Sequence, residues 1–197
     1  VGKTIDELGT LKTEAGEWLY CKVEKPGQAL EELFLTMLET ALAALPVAKP
    51  MRWASNDFSF IRPVHWVVVM HGETVLNGSL FGLNTGNITR GHRIHSPGPH
   101  EIRTAGDYAQ VLESASVVAD QDKRKDLIRE QVVAMGESAG GRAVIDDGLL
   151  AEVTNLVEWP RSICGSFDEE FLSVPAEALI ASMQDHQKFF PVVSHDS

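Results

Sequence analysis

The stretch from Met51 to Arg93 constrains the fold of this chain more than any other part of the sequence. It contains two runs of strand character, Trp66–Met70 and Thr74–Phe81, separated by the turn pair His71-Gly72. Apolar runs on either side of a short glycine turn are typical of a β-hairpin. We therefore predict a hairpin near the middle of the chain, with the rest of the fold built around it.

Cationic and aromatic side chains are concentrated at the ends of this predicted hairpin. Guanidinium groups fork onto phosphates, and aromatic rings stack on unpaired bases. The whole chain nevertheless carries a net charge of −11, from 17 Lys and Arg against 28 Asp and Glu, which excludes a free-standing nucleic-acid-binding protein. Contact with an anion must be confined to this local set: Arg52, Arg62, Arg90, Arg93, His65, His92, Trp53 and Trp66.

Apolar periodicity and capping residues predict the remaining elements. Asp120 is a typical helix N-cap and Gly140-Gly141 a typical helix end. Helices are predicted over residues 28–45, 104–115, 120–139, 146–156 and 174–184, and further strands over 17–24, 89–95, 116–119, 142–145, 157–163 and 186–193. Alternating helices and strands indicate an α/β (α+β mixed) fold, with a mixed sheet and flanking helices.

The predicted domain organisation is simple. Residues 1–15 are a polar lead-in from a preceding region, residues 16–193 a single α/β domain, and residues 194–197 the start of a linker. The chain begins at Val1 without the profile of a signal peptide, so we expect it to be part of a longer polypeptide.

No apolar run of about 18 residues is present, so no membrane contact is expected. Cys21 and Cys164 are far apart, which suits a reducing cytoplasm better than a disulfide framework.

Few patterns for metal or covalent chemistry are present. On a strand over 89–95, Arg90 and His92 would lie on one face and Arg93 and His95 on the other, so the two histidines would diverge. Neither cysteine has a nearby partner for zinc, and no phosphate-binding loop or nucleophile elbow occurs. We therefore predict no metal site and no catalytic residue.

A purely structural role for these side chains is the alternative interpretation. Large aromatics usually belong to cores, and buried cations need partners. In that case Trp53, Trp66 and Trp159 are core residues, and buried Arg62 or Arg93 pairs with Glu152, Glu158 or Asp107.

Six phrases of the sequence together resemble one protein family. They are Met51-Arg52-Trp53, Phe60–Trp66, Thr89–Arg93, Leu149–Pro160, Phe171–Glu177 and His186–Pro191, in this order. Over about Leu19 to Val193 the chain closely resembles the beta subunit of bacterial heterotetrameric glycyl-tRNA synthetase. It departs from the family's pattern at Ala54-Ser55-Asn56, where a Gly commonly follows the Trp, and at Phe189, where Tyr is common.

The resemblance implies part of a glycine–tRNA ligase, an aminoacyl-tRNA synthetase of the cytoplasm. The implied partners are the alpha subunit, a second beta subunit in a heterotetramer, and tRNA(Gly). ATP and magnesium are implied for the alpha subunit, and no cofactor for this chain. The implied fold resembles the editing-type domain of the phenylalanyl-tRNA synthetase beta subunit.

Within that family the chain is expected to position tRNA or hold subunits together rather than perform chemistry. The candidates for tRNA contact are Arg62, Arg90, His92, Arg93 and Lys188, supported by His65, Trp66 and Glu158. One alternative is a hydrolytic domain that edits mischarged tRNA, with His92 and Glu158 as polar catalytic candidates. The other is a structural scaffold domain.

Overall fold

A computed structural model of the chain describes residues 8–195. It mixes short strands with helices, which confirms the predicted fold class. The strands are β1 Gly9–Thr13, β2 Gly16–Tyr20, β3 Met51–Arg52, β4 Ser59–Phe60, β5 Val67–Val68, β6 Met70–His71, β7 Thr74–Val75, β8 Ser79–Leu80, β9 Leu83–Gly86, β10 Ile88–Arg90, β11 Pro99–Glu101, β12 Gly141–Ala143 and β13 Val192–Ser194. The α-helices are α1 Leu30–Ala43, α2 Tyr108–Ser114, α3 Gln121–Ser138, α4 Asp147–Leu156 and α5 Ala176–Ala181; α5 runs into a π-helical turn, Ser182–His186.

The chain divides into two compact units, the first ending at Pro46 and the second starting at Val47. The predicted domain start at residue 16 falls on the first residue of β2, and the predicted polar lead-in contributes β1. Residues 1–7 and 196–197 of the predicted lead-in and linker lie outside the described residues. A single domain over residues 16–193 stays a prediction. The boundary between the two compact units, at Pro46 and Val47, lies inside that range.

The first unit contains an antiparallel hairpin, β1 with β2, and helix α1. Helix α1 confirms the predicted helix over 28–45, shortened at both ends. Phe34 is the buried residue of its apolar stripe, while Met37 is 59% exposed. The apolar periodicity that predicts this helix also predicts a core-facing stripe, and the exposure of Met37 shows that the whole stripe does not face a core.

The predicted central hairpin is confirmed, but its strands are much shorter than predicted and His71 lies in a strand rather than in the turn. Strands β6 and β7 pair antiparallel, with Met70 opposite Val75, and the turn between them uses Gly72 at a φ of 59°. A left-handed φ costs glycine little, since it has no Cβ. Beside the hairpin lies a mixed three-stranded sheet in which β9 pairs parallel with β5 and antiparallel with β8.

The turn from β8 to β9 has an uncommon composition. Phe81 has a φ of 54° and Gly82 a φ of 73°, so both central residues are left-handed, as in a type I′ turn. Such a φ is costly for a phenylalanine. The Phe81 ring packs on Trp53, Phe58 and Phe60 at centroid distances of 5.1 to 6.0 Å. Aromatic packing thus holds the turn, and the predicted packing role of Trp53 fits this cluster.

The strand predicted over 89–95 ends at Arg90, where β10 pairs with β11. The chain then turns, because the main-chain N–H of His92 donates to Ala115 O at 2.9 Å instead of continuing a ladder. Gly91 makes this approach possible: a Cβ there would lie 2.6 Å from the Ala115 Cβ. The glycine is required by close packing, since its φ is not positive.

Three further predicted strands, over 116–119, 157–163 and 186–193, are wrong in whole or part, and those over 17–24 and 142–145 end early, at Tyr20 and Ala143. Residues 116–119 and 157–163 are irregular, and a single link, from Val118 N to Glu158 O at 2.9 Å, joins them. Pro160 lies inside the second segment and cannot donate to a ladder. The final strand is confined to β13, which pairs with β12.

The core of the second unit lies between α3, α4 and β12. Ile128 and Val132 of α3 pack with fully buried Leu150 of α4. Helix α3 begins as predicted, with the Asp120 carboxylate accepting from Lys123 N at 3.0 Å, and Gly140 follows its end at a φ of 80°. None of the helices within residues 8–195 is both long and apolar enough to cross a lipid bilayer.

The charged side of α3 is mostly solvated, as ion pairs at its surface indicate. Arg129 Nη2 donates to Asp147 Oδ1 at 2.8 Å, and this hydrogen bond and charge lower the pKa of Asp147. Arg124 differs from its neighbours. Its side chain is partly buried and donates to two main-chain carbonyls, Val118 O and Thr154 O, the latter at 2.8 Å.

Arg124→Ala is expected to lower the free energy of unfolding by about 1–3 kcal/mol, because it leaves these two carbonyls without their donor. Lys123→Ala, on the same helix, removes only an exposed ion pair with Glu113 and should cost at most about 1 kcal/mol. Urea unfolding of both variants measures the difference. Equal losses would contradict the role assigned to Arg124.

Gly91→Ala is expected to lower the free energy of unfolding by about 1–3 kcal/mol, because its Cβ meets Ala115 and Ser96 O. Gly165→Ala is the matched control, since nothing lies within 4 Å of a Cβ there and its φ is not positive. Thermal melting compares the two proteins. A Gly91→Ala variant that melts with the control would refute the close-packing explanation.

Candidate nucleic-acid interface

A shallow depression lies where β5, β9 and β10 meet. Its volume is about 220 Å³. The parallel pairing of β5 with β9 brings residues distant in sequence to one surface. Its lining residues are His65, Trp66, Val67, Leu83, Asn84, Gly86, Ile88 and Arg90.

Arg90 and Trp66 form the cationic and aromatic parts of this depression. The guanidinium carbon of Arg90 lies 6.0 Å from the centroid of the Trp66 ring, at the outer range of a cation–π contact. Trp66 is 43% exposed, so its predicted place in the core is wrong. The sequence interpretation that groups Arg90 with Trp66 and His65 agrees with this geometry.

Charge in the depression is of one sign. No carboxylate lines it among residues 8–195, and Arg90 forms no ion pair within that part of the chain. Some other cations of the acidic chain are neutralised locally, as Arg52 is by Asp57 at 2.7 Å. The depression therefore offers an unneutralised guanidinium beside an open indole face.

Arg62 and Arg93 are exposed, and neither forms an ion pair within the described residues. The alternative in which they are buried and paired with Glu152, Glu158 or Asp107 is therefore wrong. Arg62 precedes His65 by three positions and Arg93 follows Arg90 by three, so each Cα lies within about 10 Å of that of a lining residue. Both arginines are thus close to the depression along the chain, and their contact with the same ligand stays a prediction.

The His92 ring has a structural task. Its Nδ1 accepts from the main-chain N–H groups of Ile94 and His95, each at 3.2 Å. Main-chain N–H groups can only donate, so the neutral ring carries its proton on Nε2 and presents that nitrogen as a donor. The turn also stacks the rings of His92 and His95, with centroids 4.5 Å apart, so the predicted divergence of the two histidines is wrong.

Lys188 lies outside this depression. Its ammonium pairs with Glu152 at 2.9 Å, and it lines another depression with Asp146, Gln184 and Asp185. Its φ of 59° places it in the left-handed region, two residues after the end of the π-helical turn. The structure therefore does not bring it together with Arg90.

Glu158 is exposed. Its main-chain carbonyl accepts a hydrogen bond from Val118 N. The main chains of Glu158 and His92 thus contact the same segment, residues 115–118. Trp159, the next residue after Glu158, is half-buried. The guanidinium carbon of Arg161 lies 5.1 Å from the centroid of the Trp159 ring. Within residues 8–195 no group of three His, Cys, Asp or Glu side chains is arranged to hold a metal ion.

Asn84 is the polar lining residue that the sequence did not indicate, and Val67, Leu83, Gly86 and Ile88 also join the lining without having been candidates. Asn84 lies on β9, between the turn at Phe81-Gly82 and the contact with β5, and its exposed amide makes no hydrogen bond within the described residues. No local signal marks it, because its position at the site follows from the parallel pairing of β9 with β5.

Comparison with known proteins identifies one family. The family model described as glycyl-tRNA synthetase beta subunit matches residues 1–197. The glycine–tRNA ligase beta subunit of Chromohalobacter salexigens is 47% identical over 189 residues, which cover 96% of this chain and 28% of the relative. Those of Hahella chejuensis and Marinobacter nauticus are 45% and 46% identical, over 98% of this chain and 28% of each relative.

The chain therefore spans 28% of the length of these curated relatives. The matches extend through both compact units and include all six phrases singled out from the sequence. The chain belongs to the glycyl-tRNA synthetase beta subunit family.

Proposed function

We propose that this chain is a domain of a glycine–tRNA ligase beta subunit that positions tRNA(Gly) during the ATP-dependent ligation of glycine, without performing chemistry itself. The observation that carries the proposal is the carboxylate-free depression in which Arg90 lies beside Trp66. In a chain with a net charge of −11, an unneutralised guanidinium with an aromatic neighbour suits a polyanion that carries bases. Arg62, Arg93 and the Nε2 donor of His92 extend the proposed contact.

The rest of the proposed context comes from the family. An alpha subunit supplies the site for ATP and magnesium, and a second beta subunit completes a heterotetramer in the cytoplasm. Phosphate contacts are sequence-independent and depend on salt, so this domain contributes position and orientation. Lys188 has the weakest case among the proposed contacts, because it would have to leave Glu152.

The geometry gives little support to hydrolytic editing by His92. A general base needs a free lone pair within reach of water, and the Nδ1 lone pair of His92 already accepts two main-chain N–H groups. Likewise, a fold resembling the editing-type domain of phenylalanyl-tRNA synthetase does not by itself imply that activity.

Subunit assembly is a second candidate function, favoured by an exposed apolar segment. Residues 163–174 carry large apolar side chains on an irregular path with one short 3₁₀ turn, Glu169–Ser173. Ile163 is 91% and Leu172 66% exposed, and Phe167, Phe171 and Val174 are exposed beside them. Apolar side chains grouped in this way are typical of protein interfaces.

The first test measures tRNA(Gly) binding by the 197-residue chain across a salt series. Arg90→Gln should weaken binding most at low salt and reduce the slope of log affinity against log salt by about 1, because one phosphate contact is lost. Arg93→Gln is expected to act in the same direction. The matched control is Arg142→Gln, an exposed arginine of β12 with no ion pair in the described residues.

Thermal melting of each variant separates loss of binding from loss of folding. If a folded chain binds no tRNA, or if Arg90→Gln and Arg142→Gln bind alike, the proposed RNA contact at Arg90 is wrong and the scaffold role is favoured. Loss of slope in Arg90→Gln but not in Arg142→Gln supports it.

The second test concerns assembly. Leu172→Ser should weaken association of the chain with the alpha subunit by about tenfold or more, as removal of a central apolar contact does. Leu156→Ser is the matched control, because that leucine of α4 is also 66% exposed. Analytical ultracentrifugation of the mixtures gives the association constants, and melting temperatures should not change in either variant. Equal association of the two variants would remove Leu172 from the proposed interface.

A further inference from the structure

We infer that the depression between Trp66 and Arg90 receives a single unpaired nucleobase, stacked on the Trp66 indole, while Arg90 contacts the base or its phosphate. The inference rests on the proposed function and gives it a chemical class of ligand: a single-stranded or looped part of the RNA rather than a duplex.

The size of the depression suits one ring system. Its volume of about 220 Å³ is below the roughly 300–1,000 Å³ of pockets that enclose larger ligands. Val67, Leu83 and Ile88 add apolar side chains to its lining, and Gly86 adds none. A flat aromatic ligand can therefore contact apolar groups there and keep one edge toward solvent.

The spacing of Trp66 and Arg90 leaves room for a stacked base after a small movement. Two van der Waals contacts on opposite faces of a base require about 7–8 Å between the flanking groups. The guanidinium carbon and ring centroid are 6.0 Å apart, so Arg90 must shift by about 1–2 Å. No ion pair within residues 8–195 holds Arg90 back.

The rim supplies polar groups for the edge of a base. The Asn84 amide offers both a donor and an acceptor, and the His65 ring lies beside Trp66. Neither side chain makes a hydrogen bond within the described residues, so both are available to a ligand. A peptide of Asp and Glu could bind the Arg90 guanidinium and the Asn84 amide, but it has no flat ring to stack on the Trp66 indole, which is why RNA is favoured.

The test compares two probes of equal phosphate content, a ten-nucleotide single-stranded RNA and the same length of abasic RNA, with the 197-residue chain. Stacking of one base contributes roughly 5- to 100-fold in affinity. The chain should therefore bind the complete RNA that much more tightly than the abasic strand.

Three variants distinguish stacking from charge. Trp66→Leu should lose the preference for the complete RNA and keep its affinity for the abasic strand, whereas Trp66→Phe should keep the preference within about threefold. Arg90→Gln should weaken both complexes, more at low salt. Because Trp66 is 43% exposed, the leucine variant should fold, and thermal melting checks this.

The outcomes separate this inference from the proposed function. If Trp66→Leu binds both probes like the unchanged chain, or loses the same factor for both, no base is stacked there and the inference is overturned. If Arg90→Gln still weakens both complexes in that case, the RNA-contacting function survives. If no variant loses affinity for either RNA probe, both the inference and the proposed function are refuted. Binding of polyglutamate in preference to both RNAs would instead assign the depression to an acidic peptide and overturn the inference.

Discussion

The second unit depends on one short segment, residues 115–118, whose main-chain groups are bonded from three directions. Ala115 O accepts from His92 N, Val118 N donates to Glu158 O, and Val118 O accepts from Arg124. Backbone groups away from a helix or a sheet must find such partners, and here each partner comes from a different part of the chain. The Arg-Gly-His-Arg turn, the segment after α4 and helix α3 are thereby fixed to one irregular connector.

Local sequence signals predicted the elements that depend on local physics. Helix α3 begins at its Asp120 cap and is followed by Gly140, and the central hairpin turns at Gly72, because capping and turn geometry involve neighbouring residues. The turn after Arg90 was not predictable in this way. It depends on Ala115, a residue distant in sequence, and on a His92 ring that bonds main-chain N–H groups.

The candidate site was predictable in part for the same reason. Arg90, Trp66 and His65 lie together because the phrases that contain them flank the central hairpin and β9. Asn84 reaches the site through a parallel pairing that no local pattern reveals, and Lys188 is removed from it by an ion pair with Glu152. The number of arginines in the sequence does not show which of them are neutralised by an ion pair. The described ion pairs mark Arg52 and Arg129 as neutralised, and the carboxylate-free depression beside Trp66 then distinguishes Arg90 from the other arginines without an ion pair in the described residues.

The turn at Phe81-Gly82 joins two opposing effects in one residue. Phe81 has an unfavourable left-handed backbone, and the same side chain completes the cluster with Trp53, Phe58 and Phe60. Replacement by Asn or Gly would relax the backbone and remove the packing, so the two free-energy changes oppose each other. The effect of a substitution at position 81 is therefore coupled to the identity of its aromatic partners, and the stability changes of Phe81 and Trp53 variants should not add.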